Sequence, residues 1–202
     1  MDPKLIRDKF GENYRATEKT FTMGIDQRFT RKIAERFSGK VVLETCTGAG
    51  FTTIALARKA EHVYTVEIDP SHQEQARKNI ENAGLTKKVT FVLGDILDPL
   101  TIDQTISYDA TFLDPDWAVS GPDHVFRFKT SNTIPAADVL LTRIFEITPN
   151  IALILPPKID LAELTGLPEN EVQKLYLDGS HELYCLYFGD LKKILGFTEY
   201  RV

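Results

Sequence analysis

The sequence predicts an alternating α/β fold: a doubly wound, mostly parallel sheet of seven strands, ending in an antiparallel hairpin and preceded by a short helical lead-in. Three observations predict it. Short apolar, β-branched runs recur at 41–46, 62–69, 88–95, 108–114 and 150–156. Stretches with helical spacing fall between them, at 51–60, 71–84 and 136–147. In the tail, two strand-like runs flank Asp178-Gly179, a two-residue hairpin signal.

Each element has a local reason. "VVLETC" (41–46) is apolar enough for a buried parallel strand and runs into Gly48 and Gly50, which mark a turn. "FTTIALARKA" (51–60) follows as a helix, and "HVYTVEID" (62–69) as a second strand. Asp69 then serves as an N-cap with Pro70 in the first helical turn, and the helix "SHQEQARKNIENAG" closes at Gly84. "KVTFVLGD" (88–95) and "YDATFLD" (108–114) are the third and fourth strands, "AADVLLTRIFEI" (136–147) an amphipathic helix, and "NIALILP" (150–156) the fifth strand. "EVQKLYLDGSHELYCLYFGDL" supplies the closing hairpin.

The 202 residues, 43% hydrophobic and 26% charged, suit a globular chain with a real core. No apolar run approaches bilayer length, and "MDPKLIRDKFGENYR" lacks a signal-peptide core. Cys46 and Cys185 cannot build a disulfide framework and are read as reduced thiols, so a soluble, cytoplasmic protein with no membrane partner is expected. No Cys/His grouping has zinc-ligand spacing, so no metal is expected. The net charge of −5 argues against a general nucleic-acid coat. It is uneven: residues 1–40 hold ten Lys/Arg against six Asp/Glu, leaving 14 basic and 23 acidic groups elsewhere. A basic lead-in can face a phosphate-bearing substrate or simply be solvated.

The chemistry concentrates at strand ends. "ETCTGAGF" (44–51) joins the first strand to its helix, where open α/β sheets bind ligands and where glycines let backbone approach a ligand. The same pattern also makes a plain strand–helix turn. Glu67, closing the second strand 17 residues past Gly50, is placed to accept from both ribose hydroxyls, and Asp95, closing the third, to accept from an adenine amino group. Residues 48–53 read "GAGFTT", which departs from the dinucleotide fingerprint, and Glu44 suits an ammonium better than a pyrophosphate. A ligand with ribose, adenine and a charged amino-acid end fits: S-adenosyl-L-methionine.

"VVLETCTGAG", "VYTVEIDP" and "VTFVLGDI" resemble the first three motifs of class I S-adenosylmethionine-dependent methyltransferases, with their Rossmann-like fold. The resemblance implies a lead-in over 1–38 packed on a methyltransferase domain over 39–202. It also implies cofactor contacts from Glu44, Thr45, Cys46, Gly48, Gly50, Glu67, Ile68, Asp95, Ile96 and Asp114.

"FLDPDWAVSGPDH" (112–124) then falls at the fourth strand end and resembles the [D/N/S]-P-P-[Y/F/W] motif of enzymes that methylate conjugated nitrogens. The lone pair of such a nitrogen is delocalised. Hydrogen bonds from its N–H groups to the Asp114 carboxylate and the Pro115 carbonyl would favour a pyramidal, nucleophilic geometry. Trp117 would stack on the base. The catalytic set is therefore Asp114, Pro115 and Trp117. Trp117, Asp116, His124, Arg127 and Lys129 are expected to contact substrate. With "NIALILPPKIDLAEL" and "LYCLYFGDL", the chain from about residue 5 to 195 is similar to the trimethylguanosine synthase family, which methylates guanine N2 of the RNA cap. That family's serine is Asp114 here, its second proline is Asp116, and its Gly-Gly after Trp is Ala118-Val119-Ser120. The expected partner is RNA or a guanine nucleotide. A protein amide, a DNA adenine or a small amine is the alternative acceptor, and a non-catalytic S-adenosylmethionine-binding protein the alternative role. The sequence leaves the oligomeric state open.

Overall fold

The computed structural model describes residues 1–117 and 125–202, which form two compact units, Met1–Asp109 and Ala110–Val202. The first begins with helices α1 (Pro3–Phe10), α2 (Glu18–Met23) and α3 (Gln27–Ala34). Strands β1 (Val41–Thr45), β2 (His62–Glu67) and β3 (Val89–Leu93) alternate with α4 (Phe51–Ala57) and α5 (Pro70–Asn82). β1 pairs with β2 and β2 with β3, all parallel, from Val41 opposite His62 and from Val63 opposite Val89. Val42, Leu43, Glu44 and Thr45 are all buried, as expected for a strand covered on both faces.

Local chemistry sets the helix ends. Asp69 Oδ1 accepts from Ser71 N at 2.7 Å and Pro70 occupies the first turn, as the sequence predicts. Asp2 caps α1 in the same way, accepting from Lys4 N at 2.8 Å. The lead-in packs onto α4: the Phe10 ring stacks on Phe51 at 3.6 Å between centroids and 12° between planes, and Arg58 bonds to Glu12 at 2.8 Å.

The second unit holds β4 (Ala110–Leu113), α6 (Ala137–Phe145), β5 (Ile151–Leu155), β6 (Asn170–Leu177), β7 (Ser180–Phe188) and β8 (Gly196–Arg201). Their order is β4-β5-β7-β6-β8. β4 and β5 are parallel, β7 runs antiparallel to both β5 and β6, and β8 is parallel to β6. Asp178 and Gly179 both take positive φ, 49° and 86°, so the closing hairpin turns through the primed geometry that an Asp-Gly pair favours.

The mostly parallel α/β fold with its antiparallel C-terminal hairpin is the one predicted. The strand number differs: the described residues form eight strands, not seven. The extra one, β8, is a half-exposed "GFTEYR" without a continuous apolar run, stabilised by pairing to β6 from Glu171 opposite Gly196 to Tyr176 opposite Arg201. Among the described residues, no helix is long and apolar enough to cross a membrane.

Candidate active site

The loop after β1 departs sharply from strand geometry. Cys46, Gly48 and Gly50 all take positive φ, at 61°, 54° and 79°. The two glycines are needed for different reasons. Among the described residues a Cβ on Gly48 would meet nothing within 4 Å, so there the requirement is the left-handed backbone itself. A Cβ on Gly50 would lie 3.0 Å from the Ala76 Cβ and 3.2 Å from the Ala76 Cα, so there the requirement is the close approach of α5.

Glu67, at the end of β2, is buried and fixed by backbone. Its Oε2 accepts from Gly48 N at 2.8 Å and its Oε1 from Asp69 N at 2.9 Å. Each carboxylate oxygen keeps a further acceptor site. Gly94 N donates to Glu67 O at 2.9 Å, which ties the end of β3 to the end of β2. Beyond it, Asp95 is exposed and accepts from Leu97 N at 2.9 Å, while Ile96 is buried. Ile68 presents an aliphatic side chain that is 68% exposed.

Glu44 lies beneath the loop, where its Oε2 accepts from Thr53 Oγ1 at 2.6 Å. Burial pushes its carboxyl up to about 7 and the neighbouring Glu67 charge adds to this, while hydrogen bonds from Thr53 and Thr65 oppose it. The adjacent Thr45 hydroxyl is buried, with no hydrogen-bond partner among the described residues.

In the second unit, β4 delivers Asp114, half-buried, and Pro115, buried. The next residue explains its own departure from the proline motif. Asp116 N donates to Ile134 O at 2.8 Å and Ile134 N returns a 2.8 Å bond to Asp116 O. A proline at 116 has no N–H to give. Trp117 meets Phe126 edge to face, at 6.2 Å and 89°. Phe126 is itself pinned, donating from N to Lys158 O at 2.7 Å and accepting at O from Asp160 N at 3.2 Å.

Two carboxylates organise the following loop. Glu163 Oε2 accepts from Phe128 N at 2.7 Å and Lys129 N at 2.8 Å, and its Oε1 from Arg127 Nε at 3.0 Å. These donors, the Lys129 N–H foremost, hold the Glu163 carboxyl below its ordinary value. Asp138 Oδ2 accepts from Thr130 N at 2.8 Å.

A family model described as RNA cap guanine-N2 methyltransferase matches residues 39–191. The chain belongs to that family.

Family membership places this chain among S-adenosylmethionine-dependent methyltransferases, and solved structures share its fold. It is similar to a putative methyltransferase structure from Porphyromonas gingivalis W83, with a TM-score of 0.77 at 21% identity over 92% of this chain and 47% of that one. It is also similar to M. capricolum TrmK in complex with S-adenosyl-homocysteine, with a TM-score of 0.56 at 13% identity over 83% of this chain and 69% of that one. Among curated proteins it is 38% identical over 95 residues to a catechol O-methyltransferase of Niastella koreensis, covering 44% of this chain and 43% of that protein. The chain spans under half the length of that enzyme and of the P. gingivalis protein.

The residues present fit the S-adenosylmethionine that this family implies. A left-handed glycine loop leaves room at Gly48, an oriented carboxylate retains acceptor capacity, an exposed aliphatic flanks it, and among the described residues the Thr45 hydroxyl at the loop's root has no hydrogen-bond partner. Glu44, Thr45, Cys46, Gly48, Gly50, Glu67, Ile68, Asp95 and Ile96 all belong to the first unit, at or just beyond the carboxyl ends of β1, β2 and β3. Asp114, Pro115, Asp116, Trp117, Arg127 and Lys129 all belong to the second. His124 lies outside the described residues. Among the described residues no group of three His, Cys, Asp or Glu side chains could hold a metal ion.

Sequence reasoning missed the supports: Thr53 under Glu44, Ile134 across from Asp116, Phe126 against Trp117, and Glu163 and Asp138 beneath the loop. It also missed Asn79, whose signal was legible: an amide on the core-facing side of an amphipathic helix must find partners elsewhere.

Proposed function

We propose that the chain transfers a methyl group from S-adenosyl-L-methionine to an exocyclic amino nitrogen, guanine N2 of RNA or of a guanosine nucleotide. The observation that carries this reading is the Asp114-Pro115-Asp116-Trp117 strand end, anchored by the paired bonds to Ile134 and the edge-on Phe126. Family membership over 39–191 supports the same acceptor.

S-adenosylmethionine, when bound, supplies an electrophilic methyl group on a sulfonium. Glu67 accepts from the ribose hydroxyls with the lone pairs that Gly48 N and Asp69 N leave free. Asp95 accepts from the adenine amino group. Glu44 lies inward against Thr53 and supports the loop from below.

Asp114 Oδ and the Pro115 carbonyl accept from the two N–H groups of the acceptor. This localises the nitrogen lone pair and sets its direction, so positioning and electrostatics lower the barrier. The sulfonium would supply the methyl group and leave as the neutral thioether, and the Asp114 carboxylate, already accepting an N–H of that nitrogen, would take the proton the methylated nitrogen releases. Trp117, steadied by Phe126, stacks on the base. Arg127, with its Nε held by Glu163, and the exposed Lys129 offer cationic contacts to a phosphate.

The test is a transfer assay with methyl-labelled cofactor and separate RNA, DNA, protein and metabolite pools. Digestion of the labelled pool to nucleosides is expected to give N2-methylguanosine. Label in protein or DNA, or in no pool at all, contradicts the proposal.

A further inference from the structure

Asn79 lies wholly buried on α5, whose other inward residues are Gln73, Ala76 and Ile80. A buried amide needs partners, and those of Asn79 come from two distant segments. Its Nδ2 donates to Ala49 O at 2.9 Å and to Arg15 O at 2.9 Å, and its Oδ1 accepts from Arg15 N at 2.7 Å. Ala49 sits between the two glycines of the cofactor loop. Arg15 sits in the lead-in, between α1 and α2.

The grip on the loop complements that of Glu67. Glu67 takes the N–H of Gly48, and Asn79 takes the C=O of Ala49, one residue on. Between them Gly50 N closes the turn onto Thr47 O at 3.0 Å. Ala76, one helical turn before Asn79, abuts Gly50, so the same face of α5 supports the loop by contact as well. On the lead-in side, Phe10 stacks on Phe51 and Tyr14 approaches the same ring at 6.1 Å, directly after Gly50.

We infer that Asn79 is a positioning residue that locks the cofactor loop to the lead-in, so that cofactor binding and docking of residues 14–17 reinforce each other. The inference rests on the loop being the cofactor cradle. Because coupling between two binding events is reciprocal, it has two independent readouts.

The first is affinity. Arg15 is exposed, and Arg15→Pro deletes the N–H that Asn79 Oδ1 accepts, together with the exposed side chain and the freedom of φ at 15. With S-adenosylhomocysteine in isothermal titration, Arg15→Pro is expected to raise Kd about tenfold, within the usual range of coupling between sites, and, because it leaves the buried Asn79 Oδ1 without its donor, to lower the thermal midpoint of the cofactor-free protein as well. Asn79→Asp, which turns a carboxylate towards two carbonyl oxygens, is expected to raise it further. The second readout needs no variant. In the unaltered chain, saturating S-adenosylhomocysteine is expected to slow hydrogen exchange at the Arg15 amide about tenfold, the reciprocal of the same coupling.

If Arg15→Pro binds S-adenosylhomocysteine within about twofold of the unaltered chain, and exchange at Arg15 ignores the ligand, the coupling is absent and the inference is overturned. If the unaltered chain binds no S-adenosylhomocysteine, the cofactor cradle itself is contradicted and the inference falls with it, which is a distinguishable result.

Discussion

The two units build their sites by opposite means. In the first, the chemistry is made by the motif itself: left-handed backbone at Cys46, Gly48 and Gly50, and a Glu67 carboxylate whose two bonds come from residues within 19 positions along the chain. In the second, the motif is four residues long and its shape is imposed from afar. Ile134 clamps Asp116, Phe126 braces Trp117, and Glu163 holds 127–129 from 34 to 36 positions away. A cradle written locally can be kept by a few glycines and acids. A frame assembled from distant parts can change residue types, as Asp116 does, if the backbone bonds survive.

The largest effect that sharpens this contrast is expected at Asp114. Asp114→Ala removes the carboxylate proposed to orient the amino nitrogen, and transfer is expected to fall about 10³-fold, the scale of losing a positioned transition-state contact. Initial rates on the RNA pool check it.

Next comes Glu67→Ala, which strips the acceptor from the Gly48 and Asp69 amides as well as from the ligand. S-adenosylhomocysteine affinity is expected to drop about 100-fold, the equivalent of two to three kcal/mol for a charged acceptor, as read by titration calorimetry.

Asp116→Pro would restore the residue type of the proline motif yet delete the donor to Ile134 O. It is expected to destabilise the chain by about 1–2 kcal/mol in urea unfolding, whereas Asp116→Asn keeps the N–H and stays near the unaltered value. A stable Asp116→Pro variant would break the claim that the second site is held by backbone pairing.

The last effect, read as a slope in pH rather than as a single loss, belongs to Glu44. Its carboxyl, ordinarily near 4.5, is pushed up to about 7 in the fold, so the folded chain holds a proton that the unfolded chain releases first. Stability therefore falls as pH rises from about 4.5 to about 7 and the contribution is flat above that. Glu44→Gln is expected to flatten this slope, measured as the difference between the two proteins' unfolding curves across that window.

The sequence made the strand ends legible because acids and glycines there are read by position. Glu67, Gly48 and Asp69 stand where expected, and Asp69 caps α5 as its place before Pro70 predicts. The Asp178-Gly179 hairpin was legible for the same reason, since the turn is decided by two adjacent residues. The partners of Asn79 were not, even though its need for some was, because Arg15 and Ala49 are 64 and 30 positions away and no spacing rule connects them. Glu163 and Ile134 were hidden likewise, and β8 too, because a half-exposed strand takes its stability from β6 rather than from its own composition.

The central claim, that the first unit holds the cofactor and Asp114 in the second directs the acceptor, is tested most directly by measuring both properties on the same two variants. Asp114→Ala is expected to lose transfer while weakening S-adenosylhomocysteine binding by about tenfold at most, the loss of one cofactor contact, whereas Glu67→Ala loses affinity first and recovers a measurable rate as S-adenosylmethionine is raised above its weakened Kd. If Asp114→Ala transfers methyl groups at the unaltered rate, or loses cofactor binding as completely as Glu67→Ala, the division of labour between the two units is contradicted.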